Sequence, residues 1–164
     1  MKIHQSQRYA LQISYPDDWI VQEHEEITET NPVMVRFLAP DGEKSVSIFT
    51  TFSEKDIPFD SLMQLNIKGL RHVNPDFKIY ESKQTWFSKS NSNTNSNLDA
   101  PAHLLVCGFN GLAHRYLISS GVGPISIENS QLNIHYVILY EAKPEAYRSY
   151  LPLAEEMIQS FEIT

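Results

Sequence analysis

The stretch that most constrains the fold is residues 9–19, which read YALQISYPDDW. Apolar residues stand at every second position from Tyr9 to Tyr15, and this period of two predicts a β-strand, because successive strand side chains point to opposite faces. Pro16 has no N–H to donate to a neighbouring strand, so we expect the strand to end there. The chain then turns toward Trp19, which we predict is anchored in the core.

Further segments carry strand patterns separated by turn residues. Residues 33–39 and 45–52 flank a turn at 40–43 that contains proline and glycine, which predicts a hairpin. Residues 102–109 and 112–119 flank Asn110-Gly111, a pair that suits the positive φ angles of a two-residue hairpin turn. A further turn is predicted at 121–124, and further strands at 19–21, 77–87 and 131–141.

Two segments repeat apolar residues at helical spacing. We expect the first helix to take Asp60 as its N-cap and to stop at Asn74-Pro75. The second opens at Pro144, and Pro152 should kink it or divide it in two. Its predicted apolar stripe comprises Tyr147, Tyr150, Leu151, Ala154, Ile158 and Phe161. This order of strands and helices predicts an α+β fold, an antiparallel β-sheet flanked by helices.

The length of 164 residues is about that of one domain, so we expect a single domain over 1–164. Residues 88–97 read SKSNSNTNSN and contain no apolar side chain. Such a segment has little to bury against the cost of ordering its backbone. We therefore predict a mobile Ser/Asn-rich loop at 88–97, within the domain rather than between two domains.

Charge and hydropathy exclude some classes of partner. The net charge is −7, with 13 basic against 20 acidic residues, which argues against binding nucleic acid, since that requires clustered Lys and Arg. No run approaches the roughly 18 apolar residues of a membrane helix, so we expect no integral membrane segment. The first residues are polar, which predicts a cytoplasmic protein, or an extracytoplasmic one if a leader has been removed.

Several short motifs together resemble the PsbP-like family, named for an extrinsic subunit of the oxygen-evolving complex of photosystem II. They are Tyr9-x₅-Tyr15-Pro16-x₂-Trp19, Val35-x-Phe37 followed by Pro40, Val46-Ser47-Ile48, Ala100-Pro101-Ala102-His103 and Ser160-Phe161-Glu162-Ile163. The resemblance implies an α-β-α sandwich, an architecture that the family shares with a Ran-binding nuclear-import factor. Because the family includes many members outside photosynthesis, the resemblance implies a fold rather than an activity.

One pair of residues is a candidate for catalysis. If Asn110-Gly111 is a two-residue turn, Cys107 lies opposite His114, about 5 Å away at Cβ. A nearby imidazolium lowers a thiol pKa and would make Cys107 a nucleophile. The apolar neighbours of Cys107 along its strand predict the opposite, a raised pKa and a buried, inactive thiol. We therefore assign no catalytic residue.

The histidines and acidic residues offer two weak metal hypotheses. His103, His114 and His135 lie on three different strands and lack the close spacing of zinc ligands. A denser group of ligand atoms comprises His24, Glu25 and Glu26, near Asp17 and Asp18, and would suit a hard cation such as calcium. A solvated acidic face explains that group better. We assign no metal-binding and no cofactor-binding residue, and we expect no cofactor.

Tyr147 and Tyr150, beside Arg148 on the second helix, would suit a protein interface if they were exposed, although core packing is the simpler interpretation. The sequence thus predicts a non-enzymatic accessory or binding module of PsbP-like type, a monomer or weak oligomer. Its partner would be a protein or a small ligand. The alternatives are a small enzyme that uses Cys107 and His114, and a metal-binding or carrier protein.

Overall fold

A computed structural model describes residues 1–28, 31–54, 56–90, 97–120, 124–127 and 130–164. Within these ranges the chain forms β1 (Lys2–Ser6), β2 (Leu11–Tyr15), β3 (Ile20–Glu23), β4 (Val33–Leu38), β5 (Lys44–Glu54), α1 (Phe59–Val73), β6 (Lys78–Ser90), β7 (Asn97–Phe109), β8 (Leu112–Ser119), β9 (Pro124–Ile127), β10 (Ser130–Ala142), α2 (Pro144–Ser160) and β11 (Glu162–Ile163).

The strands form a large antiparallel sheet and a small one. The large sheet has the strand order β3-β4-β5-β10-β8-β7-β6, and β9 also pairs with β10. The small sheet has the order β1-β2-β11. The predicted α+β class, with an antiparallel sheet flanked by helices, is confirmed.

Alternation along the central strand β10 sets the layers of the fold. Ile138 and Tyr140 point to one face of the large sheet, where they pack against α2 and the small sheet. Val137 points to the other face and packs against Met63 of α1. Because neighbouring residues of a strand point to opposite faces, one strand supplies both cores. The layers are therefore α1, the large sheet, and α2 with the small sheet, which is the predicted α-β-α sandwich.

The first predicted strand and its anchor lie in the larger core. Leu11 and Ile13 of β2 are fully buried, and Trp19 is 8% exposed in the same cluster. The backbone N–H of Trp19 donates to the carbonyl of Pro16 at 3.1 Å, which closes the predicted turn. The strand begins at Leu11 rather than at Tyr9, because Ala10 has a φ of 50° and turns the chain between β1 and β2.

Helix α1 begins earlier than the sequence predicts. Pro58 is its N-cap residue and provides no side-chain cap, so the expectation that Asp60 caps the helix was wrong. A proline is tolerated there because the first N–H groups of a helix have no intrahelical partner, so its missing N–H leaves no bond unmade. The carboxylate of Asp60 instead accepts a hydrogen bond from the side-chain amide of Gln84 at 3.0 Å. The predicted stop is confirmed, since α1 ends at Val73.

Helix α2 opens at Pro144, as predicted, and continues to Ser160 as one helix through Pro152. Of the two outcomes expected at Pro152, a division of the helix was therefore wrong, and a kink stays a prediction. Pro152 lies on the exposed side of α2, where water can hydrate the carbonyl that lacks its helical donor. Met157 is fully buried although it was left out of the predicted stripe, and Tyr150 is partly exposed.

The boundaries of β6 and β7 differ from those expected. Strand β6 extends to Ser90 and β7 begins at Asn97, where these two residues are paired. The ends of the predicted 88–97 loop are therefore strand, because a backbone ladder needs no apolar side chains. Residues 91–96 of that loop and 121–123 of the predicted turn lie outside the described residues.

Candidate functional site

The predicted opposition of Cys107 and His114 is confirmed by the register of β7 and β8. Asn110 and Gly111 have φ angles of 52° and 73°, as a two-residue turn of this kind requires. On the far side of His114, Glu141 of β10 is its strand partner, and Glu141 Oε2 lies 3.3 Å from His114 Nδ1. A thiol, an imidazole and a carboxylate thus stand in one row across three strands.

The thiol and the imidazole of this row are buried. Cys107 is 0% exposed and lies beneath α1 in a cluster with Ile67 and Leu105. Burial raises the pKa of the Cys107 thiol to about 11, the direction that its apolar neighbours predict. The His114 ring is stacked on Phe109 with 3.8 Å between ring centroids. The thiol is therefore protonated and covered at neutral pH, which disfavours a nucleophilic role.

The other candidate histidines are held by hydrogen bonds within the fold. His135 Nε2 lies 2.6 Å from Ser53 Oγ, and its Nδ1 lies 2.9 Å from the carbonyl of Ser119. His103 Nε2 lies 2.7 Å from Ser82 Oγ. Within the described ranges, the structure has no group of three or more His, Cys, Asp or Glu side chains placed to hold a metal ion.

The group around His24 is tied to the first strands of the chain. The Tyr9 hydroxyl donates to the carbonyl of His24, and Arg8 donates to the carbonyl of Glu25 at 2.8 Å. The side-chain amide of Asn31 lies 3.4 Å from His24 Nδ1. These contacts hold the backbone of the segment against the turn that follows β1.

The two tyrosines of α2 also make contacts inside the domain. The ring of Tyr147 is stacked on that of Tyr140 at 5.3 Å, and the Tyr140 hydroxyl donates to the Tyr147 carbonyl at 3.1 Å. The ring of Tyr150 lies 3.9 Å from Lys44 Nζ, a cation-π contact that covers a buried ammonium group. Both tyrosines therefore contribute to the packing of α2.

A groove with a mostly apolar lining lies between α1 and the large sheet. Its cavity volume is about 530 Å³, and its floor is formed by Phe49, Leu105, Tyr116, Ile118 and Val137 from four neighbouring strands. We call it the α1 groove. Burial raises the pKa of Tyr116, so its hydroxyl stays neutral and can both donate and accept a hydrogen bond on this floor.

The helical wall of the α1 groove contains a glycine in the middle of the helix. Gly69 lines the groove, and a Cβ built on it would meet no atom within 4 Å. Glycine in a helix interior costs roughly 0.5 to 1 kcal/mol relative to alanine. Leu65 and Val73 on the same wall are 58% and 70% exposed. The helix therefore gives up some stability and leaves apolar side chains in water along this groove.

The groove exists because α1 is attached along a narrow line. Only Met63 and Ile67 of this 15-residue helix are buried. Both meet the sheet through small clusters, Met63 with Ile118 and Val137, and Ile67 with Leu105. Phe59 and Leu70, which are partly buried, pack beside them, and this line of contacts leaves space on the flank of the helix, which is the groove.

Sequence reasoning missed this groove, although α1 carries two signals of it. One is Gly69, which has no turn or helix end to explain it. The other is a surplus of apolar residues, since Leu65 and Val73 are apolar but exposed, whereas the buried residues of the helix are Met63 and Ile67.

None of the described helices is both long enough and apolar enough to cross a membrane.

Comparison with known proteins shows a likeness in structure and none in sequence. No family model and no curated protein matches the chain. The solution structure of cyanobacterial PsbP from Synechocystis sp. PCC 6803 matches with a TM-score of 0.63 at 10% identity, over 99% of this chain and 92% of that one. LpqN, a protein involved in cell envelope biogenesis of Mycobacterium tuberculosis, matches with a TM-score of 0.57 at 13% identity, over 94% of this chain and 83% of that one. The chain has a PsbP-like fold.

Proposed function

We propose that this PsbP-like domain is a non-enzymatic accessory module that binds an apolar group in the α1 groove. The group belongs either to a small ligand or to a side chain of a protein partner. The observation that carries the proposal is the groove itself. Its floor is apolar, and its helical wall carries Gly69 and the exposed Leu65 and Val73. The two structural neighbours support the fold alone, so the site has to support the function.

The size and lining of the groove fit a bound apolar group. A volume of about 530 Å³ lies within the range of about 300 to 1,000 Å³ that is usual for ligand pockets. Each methylene moved from water onto this floor contributes about 0.8 kcal/mol. Thr51, Asn66 and the Tyr116 hydroxyl provide a few polar atoms among apolar ones, which is how such pockets orient a ligand.

The non-enzymatic part of the proposal rests on the state of the one candidate nucleophile. Cys107 lies under α1, and its raised pKa keeps it protonated. A catalytic cysteine needs the opposite surroundings, an exposed thiol whose pKa is lowered by a nearby positive charge. A binding module needs no such group.

The test is a titration with N-phenyl-1-naphthylamine, a neutral probe that fluoresces strongly when it enters an apolar site. The titration of wild-type protein should saturate and should fit a single binding site. Gly69→Leu should weaken binding at least about tenfold, because a side chain at residue 69 enters the open space of the groove. Leucine is also a better helix former than glycine, so the variant should remain folded.

The matched control is Lys68→Leu, the same new side chain on the same helix at an exposed position outside the α1 groove. This variant should bind the probe as wild type does. Equal loss of binding in both variants, or no loss in Gly69→Leu, would show that the probe does not occupy the groove and would refute the proposal.

A further inference from the structure

A second cavity, polar in character, lies at the end of the large sheet where the turn between β4 and β5 meets the beginning of α2. Its volume is about 310 Å³. Three basic and three acidic side chains line it: Arg36, Lys44, Lys143, Asp41, Glu43 and Glu141. We call it the Arg36 pocket. It is lined by none of the residues that line the α1 groove.

Two of the three basic groups are already neutralised. Lys44 Nζ pairs with the carboxylate of Asp41, and Lys143 Nζ pairs with the carboxylate of Glu43. Both pairs therefore leave no net charge for a ligand. Asp41 and Glu43 lie in the turn between β4 and β5, Lys44 begins β5, and Lys143 directly precedes α2.

Arg36 is the basic group without a matching carboxylate. No carboxylate of the described chain lies within 4.0 Å of its guanidinium, and Nη2 donates only a long hydrogen bond of 3.3 Å to Ser45 Oγ. Its Nε is shielded from solvent and has no hydrogen-bond partner. Buried donors in native proteins are nearly always satisfied, so the unpaired Nε indicates that the described residues do not supply every acceptor this guanidinium can use.

Glu141 is the acidic group that faces Arg36 across the pocket. It lies directly opposite Ser45 in the pairing of β10 with β5, while Arg36 reaches the same serine from β4 on the other side. Its Oε2 lies 3.3 Å from His114 Nδ1, its side chain is 22% exposed, and among the described residues no Lys or Arg nitrogen lies within 4.0 Å of it. The guanidinium and the carboxylate thus flank Ser45 from its two neighbouring strands without touching each other.

We propose that the Arg36 pocket binds a small zwitterion, of the class of free α-amino acids. The ligand carboxylate pairs with the Arg36 guanidinium, whose planar donors suit a carboxylate, and the ligand ammonium pairs with Glu141. The six charged side chains sum to zero, so the pocket as a whole favours neither a plain anion nor a plain cation. A ligand that carries both charges satisfies both unmatched groups.

The test uses three probes that separate the two charges: L-alanine, acetate and ethylammonium. Each is titrated at millimolar concentrations into ¹⁵N-labelled wild-type protein at pH 7, and the amide shifts of Ser45 and Glu141 are followed. L-alanine should shift both amides in a saturable manner. Acetate and ethylammonium should bind at least about tenfold more weakly, since each leaves one charge of the pocket unmatched.

Two variants test the roles of Arg36 and Glu141, and a third is a control. Arg36→Gln should weaken L-alanine binding at least about tenfold, and Glu141→Gln should abolish the preference for L-alanine over acetate. Arg115→Gln is the matched control, because Arg115 lies on the opposite face of the sheet, where it pairs with Glu155 at 3.6 Å, and also has a buried unpartnered nitrogen. That control should bind L-alanine as wild type does.

Should Arg36→Gln fail to fold, Arg36→Lys retains the charge but loses the planar donors, and it should still bind L-alanine more weakly than wild type. Equal binding of acetate and L-alanine by wild type would overturn the proposal that the ligand is a zwitterion. Absence of saturable shifts with L-alanine, or unchanged binding in Arg36→Gln, would overturn the site itself. Because the α1 groove is lined by other residues, these results are independent of the probe titration there.

Discussion

Alkylation of Cys107 separates the binding-module proposal from the enzyme alternative most directly. The protein has one cysteine, so the labelling rate with iodoacetamide reports a single thiol. The measurement is the rate between about pH 5 and pH 9, in wild type and in His114→Ala, with guanidinium-unfolded protein as the reference for a free thiol.

The expected slowing follows from the burial of the thiol. With a pKa of about 11, Cys107 is ionised in about one molecule in 10⁴ at pH 7. A free thiol of pKa about 8.5 is ionised in about one molecule in 30 at that pH. Since the thiolate is the nucleophile, native protein should react at least about 300-fold more slowly than unfolded protein. The 0% exposure of the side chain adds to this slowing, because reaction then requires an opening of the structure.

The same shift predicts a pH dependence of stability. A thiol whose pKa is raised on folding contributes stability that is present below its unfolded pKa and is lost as the pH rises through its folded pKa. The free energy of unfolding should therefore fall by about 3 kcal/mol more in wild type than in Cys107→Ala between about pH 8 and pH 12. The comparison with Cys107→Ala removes the contribution of the buried tyrosines, whose pKa values burial also raises.

One result would refute this reasoning. Fast labelling of wild type at pH 6 that disappears in His114→Ala would mean that the imidazole lowers the thiol pKa. The row of Cys107, His114 and Glu141 would then be a candidate active site, and the enzyme alternative would replace the binding module.

Three further predictions concern stability. Trp19→Ala should cost about 3 to 5 kcal/mol in denaturant unfolding, because it empties a site in the larger core, whereas Ile20→Ala at a neighbouring exposed position should cost less than about 0.5 kcal/mol; similar values for the two would place the indole outside the core. Ser53→Ala should cost about 1 to 3 kcal/mol, since it leaves Nε2 of the buried His135 without its hydrogen bond, and a neutral result would mean that this bond contributes nothing. Deletion of 91–96 should leave the melting temperature nearly unchanged, because the segment contains only Ser, Asn and Thr; a large drop would show that it packs against the domain.

Some features of the fold were predictable because their causes are local. Alternation at Leu11 and Ile13 indicated which face of β2 is buried, and Asn110-Gly111 set the turn that places Cys107 opposite His114. Weaker local signals failed. Strand β1 reads KIHQS and is mostly exposed, so it carries no clear apolar pattern and is held by its ladder with β2.

The caps and breaks of the helices were only partly predictable. Asp60 is a good capping residue by type, yet the chain begins α1 after Pro58 and uses Asp60 to bind Gln84 of β6. Pro152 breaks helices in general, yet α2 continues through it because that part of the helix faces water. In both cases the place of the residue in the folded chain decided between options that local propensity leaves open: a contact with β6 for Asp60 and an exposed helix face for Pro152.

The sequence by itself thus determined both helices and the longer strands, since their patterns depend on neighbours a few residues away, but not the short strands β1, β9 and β11. Only the tertiary structure decided where the two candidate sites lie. The α1 groove joins Gly69 to Phe49 and Val137, and the Arg36 pocket joins Arg36 to Glu141 through Ser45 on the strand between them. These residues meet because β10 lies between β5 and β8 in the sheet. That strand order depends on contacts between distant segments, which no periodicity along the chain encodes.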